Sequence, residues 1–280
     1  MRSRKSLLDH WEKVLLQAGV DSPRLSTQVL LAHVLGISRL EMLLDTHAAV
    51  QDSARMQMEH LCSRRSGGEP VAYLTGSKEF YGFDFEVGPQ VLIPRPETEL
   101  ILDDMRETLG PDEHLKALDI GTGSGALAVT CAVLFPCFRV TAVDISHGAL
   151  QVAKRNAQSQ GVASRISFVQ ADLVQPLRLS SFDVIMANLP YVPSATRSAL
   201  SPEVVRHEPH LALFSGHDGL DCYRDLAKSL AGRVKAGAML WCEIDSSQGD
   251  EMTALFSAIS KRVRILKDYA GHDRVVVVVF

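Results

Sequence analysis

LDIGTGSGALAVTCA, residues Leu118 to Ala132, decides how this chain is read. An apolar run stops at three glycines, Gly121, Gly123 and Gly125, and an apolar helical segment follows. Glycine lets the backbone turn tightly and come close to a ligand where a Cβ would collide. A strand feeding a helix through such a turn is the opening unit of a parallel α/β sheet. Asp144 closes the next apolar run, TAVDIS, 23 residues after Gly121. A carboxylate at that place can accept hydrogen bonds from both hydroxyls of a ribose. Gly121, Gly123 and Ala126 also satisfy G-x-G-x-x-A, with Thr122 and Ser124 between the glycines. The loop alone therefore leaves a nicotinamide dinucleotide and S-adenosylmethionine both open.

Outward from this loop the chain alternates. Strands are expected at KALDI, FRVTAVD, ISFVQ, FDVIMA, AMLWCEI, RVRILKD and RVVVVVF, with helices between most of them. That rhythm predicts an α/β fold, a seven-stranded, mostly parallel Rossmann-like sheet covered on both faces. The first 75 residues read as a small all-helical domain. LLDHWEKVLLQAG and PRLSTQVLLAHVLG carry apolar residues at helical spacing, and RLEMLLD and DSARMQMEHLCSRR continue the pattern. Between the two regions, FDFEV alternates as a strand does, and a hairpin with QVLI across Gly88-Pro89 is expected. Pro96 suits the first turn of a helix, with Glu97 and Glu99 at its positive end. The expected organisation is a helical domain over 1–75, a β-hairpin linker over 76–96 and an α/β domain over 97–280.

The composition, 46% hydrophobic and 22% charged, is that of a globular protein. A formal net charge of −4 gives no global basic field, so direct nucleic-acid binding is not expected. None of the five cysteines forms a C-x-x-C pair, which speaks against zinc and for a reducing, cytoplasmic setting. His207 and His210 have metal-ligand spacing but no third ligand, so no metal is expected. No apolar run reaches the 18 residues a membrane span needs. A monomer is expected.

Two further sites lie at strand ends. FVQADL ends a strand at Asp172-Leu173, which would flank the same crevice as Asp144. IMANLPYV places Asn188, Leu189, Pro190 and Tyr191 after the fourth strand. Asn-x-Pro-Tyr resembles the signature of enzymes that methylate a nitrogen conjugated to a π-system: adenine N6, cytosine N4 or a glutamine amide. Such a nitrogen is a weak nucleophile because its lone pair is delocalised. The Asn188 Oδ1 and the carbonyl of residue 189 could accept its two hydrogens, hold it and stabilise the charge developing on it. Tyr191 would offer a face to the planar group. Leu189 keeps the carbonyl, and its N–H should face water or find a local partner.

RRSGGEPVAYLTGSKEFYGFDFEVGPQVLIPRPETEL resembles the segment joining the two domains in the HemK/PrmC family of release factor glutamine methyltransferases. EVVRHEPHLALFSGHDGLDCYRDL, CEIDSSQGDEM and KDYAGHDRVVVVV resemble its later blocks, so the similarity spans nearly the whole chain. The resemblance implies a Rossmann-like methyltransferase domain and S-adenosyl-L-methionine as donor. It implies the glutamine of the Gly-Gly-Gln loop of peptide chain release factors as acceptor, with the helical domain helping to dock that partner. Gly121 to Gly125, Asp144, Asp172 and Leu173 would hold the cofactor, and Asn188 to Tyr191 the glutamine. Arg95, between two prolines, is expected to position the cofactor end or the substrate loop. The family usually has Asn-Pro-Pro-Tyr; Asn-Leu-Pro-Tyr also resembles ribosomal RNA adenine dimethyltransferases. An amino-methyltransferase acting on adenine in RNA or DNA is therefore the alternative. A nucleotide-binding module or dehydrogenase is a third reading, in which Asn188 to Tyr191 would be idle.

Overall fold

The computed structural model describes residues 2–175 and 177–280. The chain forms two compact units, residues 1–77 with 201–207, and residues 78–200 with 208–280.

In the first unit, helices α1 (Arg4–Gln17), α2 (Pro23–Leu35), α3 (Arg39–Leu44) and α4 (Asp52–Ser66) fall on the four periodic segments, and α5 (Val71–Thr75) follows. Local chemistry sets their ends. Ser3 caps α1 by accepting from the Ser6 N–H, Pro23 opens α2, and Gly36 closes it at φ 64°. Ser38 and Glu41 form a reciprocal capping box at α3. Strands β1 (Arg2–Ser3) and β2 (Ala49–Val50) pair antiparallel. Leu7, Leu30, Leu31, Met42, Met58 and Cys62 make the core.

The second unit begins with a hairpin, and its register corrects the expectation. Strand β3 (Ser77–Phe80) pairs with β4 (Phe83–Glu86), so the turn is Tyr81-Gly82 and not Gly88-Pro89. Residues 90–93 form no strand. Tyr81 at φ 55° and Gly82 at φ 80° give the two positive angles that a tight two-residue hairpin turn requires. Pro89, without an N–H and with φ fixed near −65°, cannot serve such a turn.

After a 3₁₀ turn (Pro96–Thr98) come α6 (Glu99–Thr108), β5 (Lys116–Ile120), α7 (Ala126–Leu134), β6 (Arg139–Asp144), α8 (His147–Ser159), β7 (Ile166–Gln170) and β8 (Val184–Ala187). The helix α9 (Pro202–His207) lies within the first unit, where Glu203 accepts from the buried Arg65 at 2.6 Å. Then α10 (Asp221–Leu230), β9 (Met239–Glu243), α11 (Gly249–Ser257), β10 (Arg262–Lys267) and β11 (Asp273–Val279) complete the second unit.

Seven strands form one sheet in the order β10-β11-β9-β8-β5-β6-β7. The pairs β5–β6, β6–β7, β5–β8 and β8–β9 are parallel; β11 is antiparallel to both neighbours. Period-two alternation divides the residues between two cores. Ala117, Val140, Met186 and Trp241 join α6 and α7 on one face; Leu118, Val143, Ile185 and Cys242 join α10 and α11 on the other. The order reverses at β5, so a crevice opens at the carboxyl ends of β5 and β8. Among the described residues, no helix is long and apolar enough to cross a membrane.

Candidate functional site

Gly121, Gly123 and Gly125 follow β5 at φ 73°, 55° and 83°. The Gly121 and Thr122 N–H groups both donate to the Val143 carbonyl at the end of β6, at 2.8 and 2.9 Å. A Cβ on Gly125 would lie 3.0 Å from that of Ala153, so α7 and α8 pack here only over glycine. Asn156 of α8 donates to the carbonyls of Ser124 and Glu86, at 2.8 and 3.0 Å, tying the loop to the hairpin.

Asp144 ends β6 beside this loop. Its Oδ2 accepts from the Gly123 N–H at 2.9 Å and its Oδ1 from the Ser146 N–H at 2.8 Å. An ionised carboxylate has about four acceptor positions, so both oxygens keep capacity for hydroxyl donors. Burial pushes its pKa up, and the backbone N–H groups oppose that.

A cleft runs along the carboxyl ends of these strands. Gly121 to Ser124, Asp144, Asp172, Leu173, Asn188, Leu189, Pro190 and Arg95 all line it, so the structure brings together nearly every residue singled out from sequence. Gly125 and Tyr191 are not lining residues. Ile145 and Leu211, 45% and 63% exposed, also line it and offer apolar surface for a flat ring. Arg95 donates to the buried Glu208 carboxylate at 2.5 Å, while the other Glu208 oxygen accepts from the Ile93 N–H at 3.2 Å. Glu208 thus clamps the proline-rich segment and fixes Arg95.

Asp119 also lines the cleft and escaped the sequence reading. Its Oδ2 accepts from the Thr122 hydroxyl at 2.6 Å and the Ala128 N–H at 3.2 Å. Burial pushes its pKa up to about 7.

The Asn188 amide is held from below. Its Nδ2 donates to Thr98 Oγ1 and Glu243 Oε2, both at 3.0 Å. The Thr98 hydroxyl donates to the same Glu243 oxygen. Tyr191 turns its hydroxyl inward and donates to Glu243 Oε1 at 3.0 Å. The Leu189 N–H finds a local partner, the Tyr223 hydroxyl at 3.4 Å, and the Leu189 side chain is buried against the second core. Thr98 had no signal in sequence. Glu243 had one: a lone acid closing the apolar run MLWCE, where burial demands partners.

Gly219 supports the Tyr191 backbone. It sits at φ 83°, and a Cβ there would overlap the Tyr191 carbonyl and lie 2.6 Å from Gln248 Nε2. Gln248 donates to that same carbonyl at 2.9 Å. Gly219→Ala is expected to destabilise the fold by about 1–3 kcal/mol through backbone strain. That corresponds to about 2–4 °C of melting temperature per kcal/mol. Thermal denaturation checks it; an unchanged melting temperature refutes the packing argument.

Residues 6–76 match the family description PrmC N-terminal domain, and residues 117–207 match a methyltransferase domain. The chain is 42% identical to a release factor glutamine methyltransferase of Moorella thermoacetica, over 93% of this chain and 92% of that one. It is 38% identical to the protein of that name from Chlorobaculum tepidum, over 91% and 90%. The fold is similar to the hMettl16 catalytic domain solved with MAT2A 3'UTR hairpin 1, with TM-score 0.56, 12% identity, and 84% and 83% of the chains covered. A methyltransferase from Pyrococcus furiosus gives TM-score 0.52 at 16% identity, over 82% of this chain and 98% of that one. With the relatives aligned along nearly their whole length, the chain belongs to the release factor glutamine methyltransferase family.

Proposed function

We propose that this enzyme transfers a methyl group from S-adenosyl-L-methionine to the side-chain amide nitrogen of the glutamine in the Gly-Gly-Gln loop of peptide chain release factors. The observation that carries the reading is the Asn188 amide. Its Nδ2 is engaged by Thr98 and Glu243, while among the described residues no donor reaches Oδ1, which is not buried. A free, oriented acceptor at the mouth of a nucleotide-type cleft suits an incoming N–H.

The cleft fits the donor. Asp144 and Asp172 give it carboxylates, which favour a ligand carrying sulfonium and ammonium charges. Asp144 is placed for the ribose hydroxyls, and Ile145 and Leu173 for the flanks of the purine. Arg95 suits the carboxylate of the amino-acid end. When bound, the cofactor supplies an electrophilic methyl on sulfur. The protein holds the acceptor nitrogen through Asn188 Oδ1 and the Leu189 carbonyl, with Pro190 against the amide plane. As the nitrogen gains positive charge, these two acceptors stabilise it, and no general base is required before the methyl moves. We assign the enzyme to the cytoplasm as a monomer, in keeping with its five free thiols.

The expected product is one methyl on the glutamine of that loop. Mass spectrometry after incubation with labelled cofactor, with a release factor and structured RNA offered side by side, should place it there. Replacing the glutamine by Ala should remove the label. Label in RNA adenine, with none in protein, would favour a nucleic-acid acceptor.

A further inference from the structure

We propose that Glu243 is a positioning residue for methyl transfer: with the Thr98 hydroxyl it locks the Asn188 amide so that only Oδ1 meets the acceptor. This rests on the role given to Asn188 above.

A carboxamide has nearly the same shape after a 180° turn, yet the turn exchanges an acceptor for two donors. An inverted Asn188 would aim N–H at the N–H of the acceptor amide and lose the contact that holds it. Shape alone does not prevent this; the partners of Nδ2 do. Thr98 Oγ1 and Glu243 Oε2 each accept from it at 3.0 Å. Inversion would set Oδ1 against a carboxylate, with like partial charges in a dry site, where repulsion is strong.

The surroundings of Glu243 fit an ionised group. It is 1% exposed, and three donors converge on its two oxygens: the Thr98 hydroxyl, the Asn188 amide and the Tyr191 hydroxyl. The same carboxylate therefore grips Asn188 through one oxygen and Tyr191 through the other, setting the span of the motif from β9. Its own backbone carbonyl accepts from Tyr223, whose hydroxyl also receives the Leu189 N–H. Negative charge behind Nδ2 also polarises the amide and strengthens Oδ1 as an acceptor. Burial raises the pKa of Glu243, opposed by the Thr98 and Tyr191 hydrogen bonds. Of the charged groups around it, Glu97 in the 3₁₀ turn raises it and Arg274 of β11 lowers it.

Single-turnover rates with labelled S-adenosylmethionine and an unmethylated release factor test the proposal. Glu243→Gln keeps the shape but replaces one acceptor oxygen by a donor. Its transfer rate should fall about 10- to 100-fold, the scale of a misplaced reacting group. Cofactor affinity by calorimetry and the KM for the release factor should stay near wild type. Thr98→Val should lower the rate and Thr98→Ser should restore most of it. In an Asn188→Ala background, Glu243→Gln should add less than about twofold, because it acts through Asn188. A Glu243→Gln enzyme at the wild-type rate overturns the proposal, and so does its full loss added on top of Asn188→Ala. If Glu243→Gln does not fold, equal rates for Thr98→Val and Thr98→Ser overturn it instead. Wild-type enzyme that leaves the release factor unlabelled strikes the proposed acceptor, a separate result read from the control.

Discussion

Asn188→Ala is expected to lower the rate of methyl transfer by about 10²–10³-fold, by analogy with removal of one preorganised hydrogen-bonding group from an oxyanion hole. The truncation removes one of the two acceptors assigned to the reacting nitrogen. Proximity suffers as well, because the remaining Leu189 carbonyl fixes one direction and not two. The change should leave the cofactor loop in place, since the Gly121 and Thr122 N–H groups are held by Val143 and not by Asn188. Calorimetry should therefore give nearly the wild-type affinity for S-adenosylmethionine. The variant also strips Thr98 and Glu243 of one shared donor, and they keep each other. Normal turnover by this variant would remove Asn188 from the transfer step.

Asp144→Ala is expected to act on binding. Two ribose hydroxyls lose a charged acceptor, at about 1.5–3 kcal/mol each. Together that is about 10²–10⁴ in Kd. The Gly123 and Ser146 N–H groups, now accepted by Asp144, would turn to water, so the loop also loses a strut. Calorimetric titration measures the change, and an unaltered Kd would exclude Asp144 from the ribose site. The two variants differ in kind: one should bind and not transfer, the other should bind poorly and transfer once saturated.

The sheet and its glycine loop were legible because their signals are local. Apolar runs with period two, glycines at a strand end and an acid at the next strand end need no long-range information. The hairpin was misplaced because Gly88-Pro89 is the more conspicuous pair, while the turn uses Tyr81, a residue seldom found at φ 55°. Thr98 and Glu243 lie 90 and 55 residues from Asn188, on a short 3₁₀ turn and a distant strand. No periodicity joins such positions; only the strand order β9-β8-β5 brings them under one loop. The apolar run ending in Glu243 gave a hint that a partner existed, without saying which.

The helical unit is not contiguous in the chain. It takes residues 201–207 back from the far side of β8, and the chain re-enters the α/β unit at Glu208. A module excised at Ser77 would leave behind Glu203, the carboxylate that meets the buried Arg65 guanidinium. Domain grafts from this chain must therefore respect three junctions, and a chimaera joined at one of them inherits an orphaned internal cation. The two halves are interlaced by topology, so recombination can exchange them cleanly only when both segments travel together.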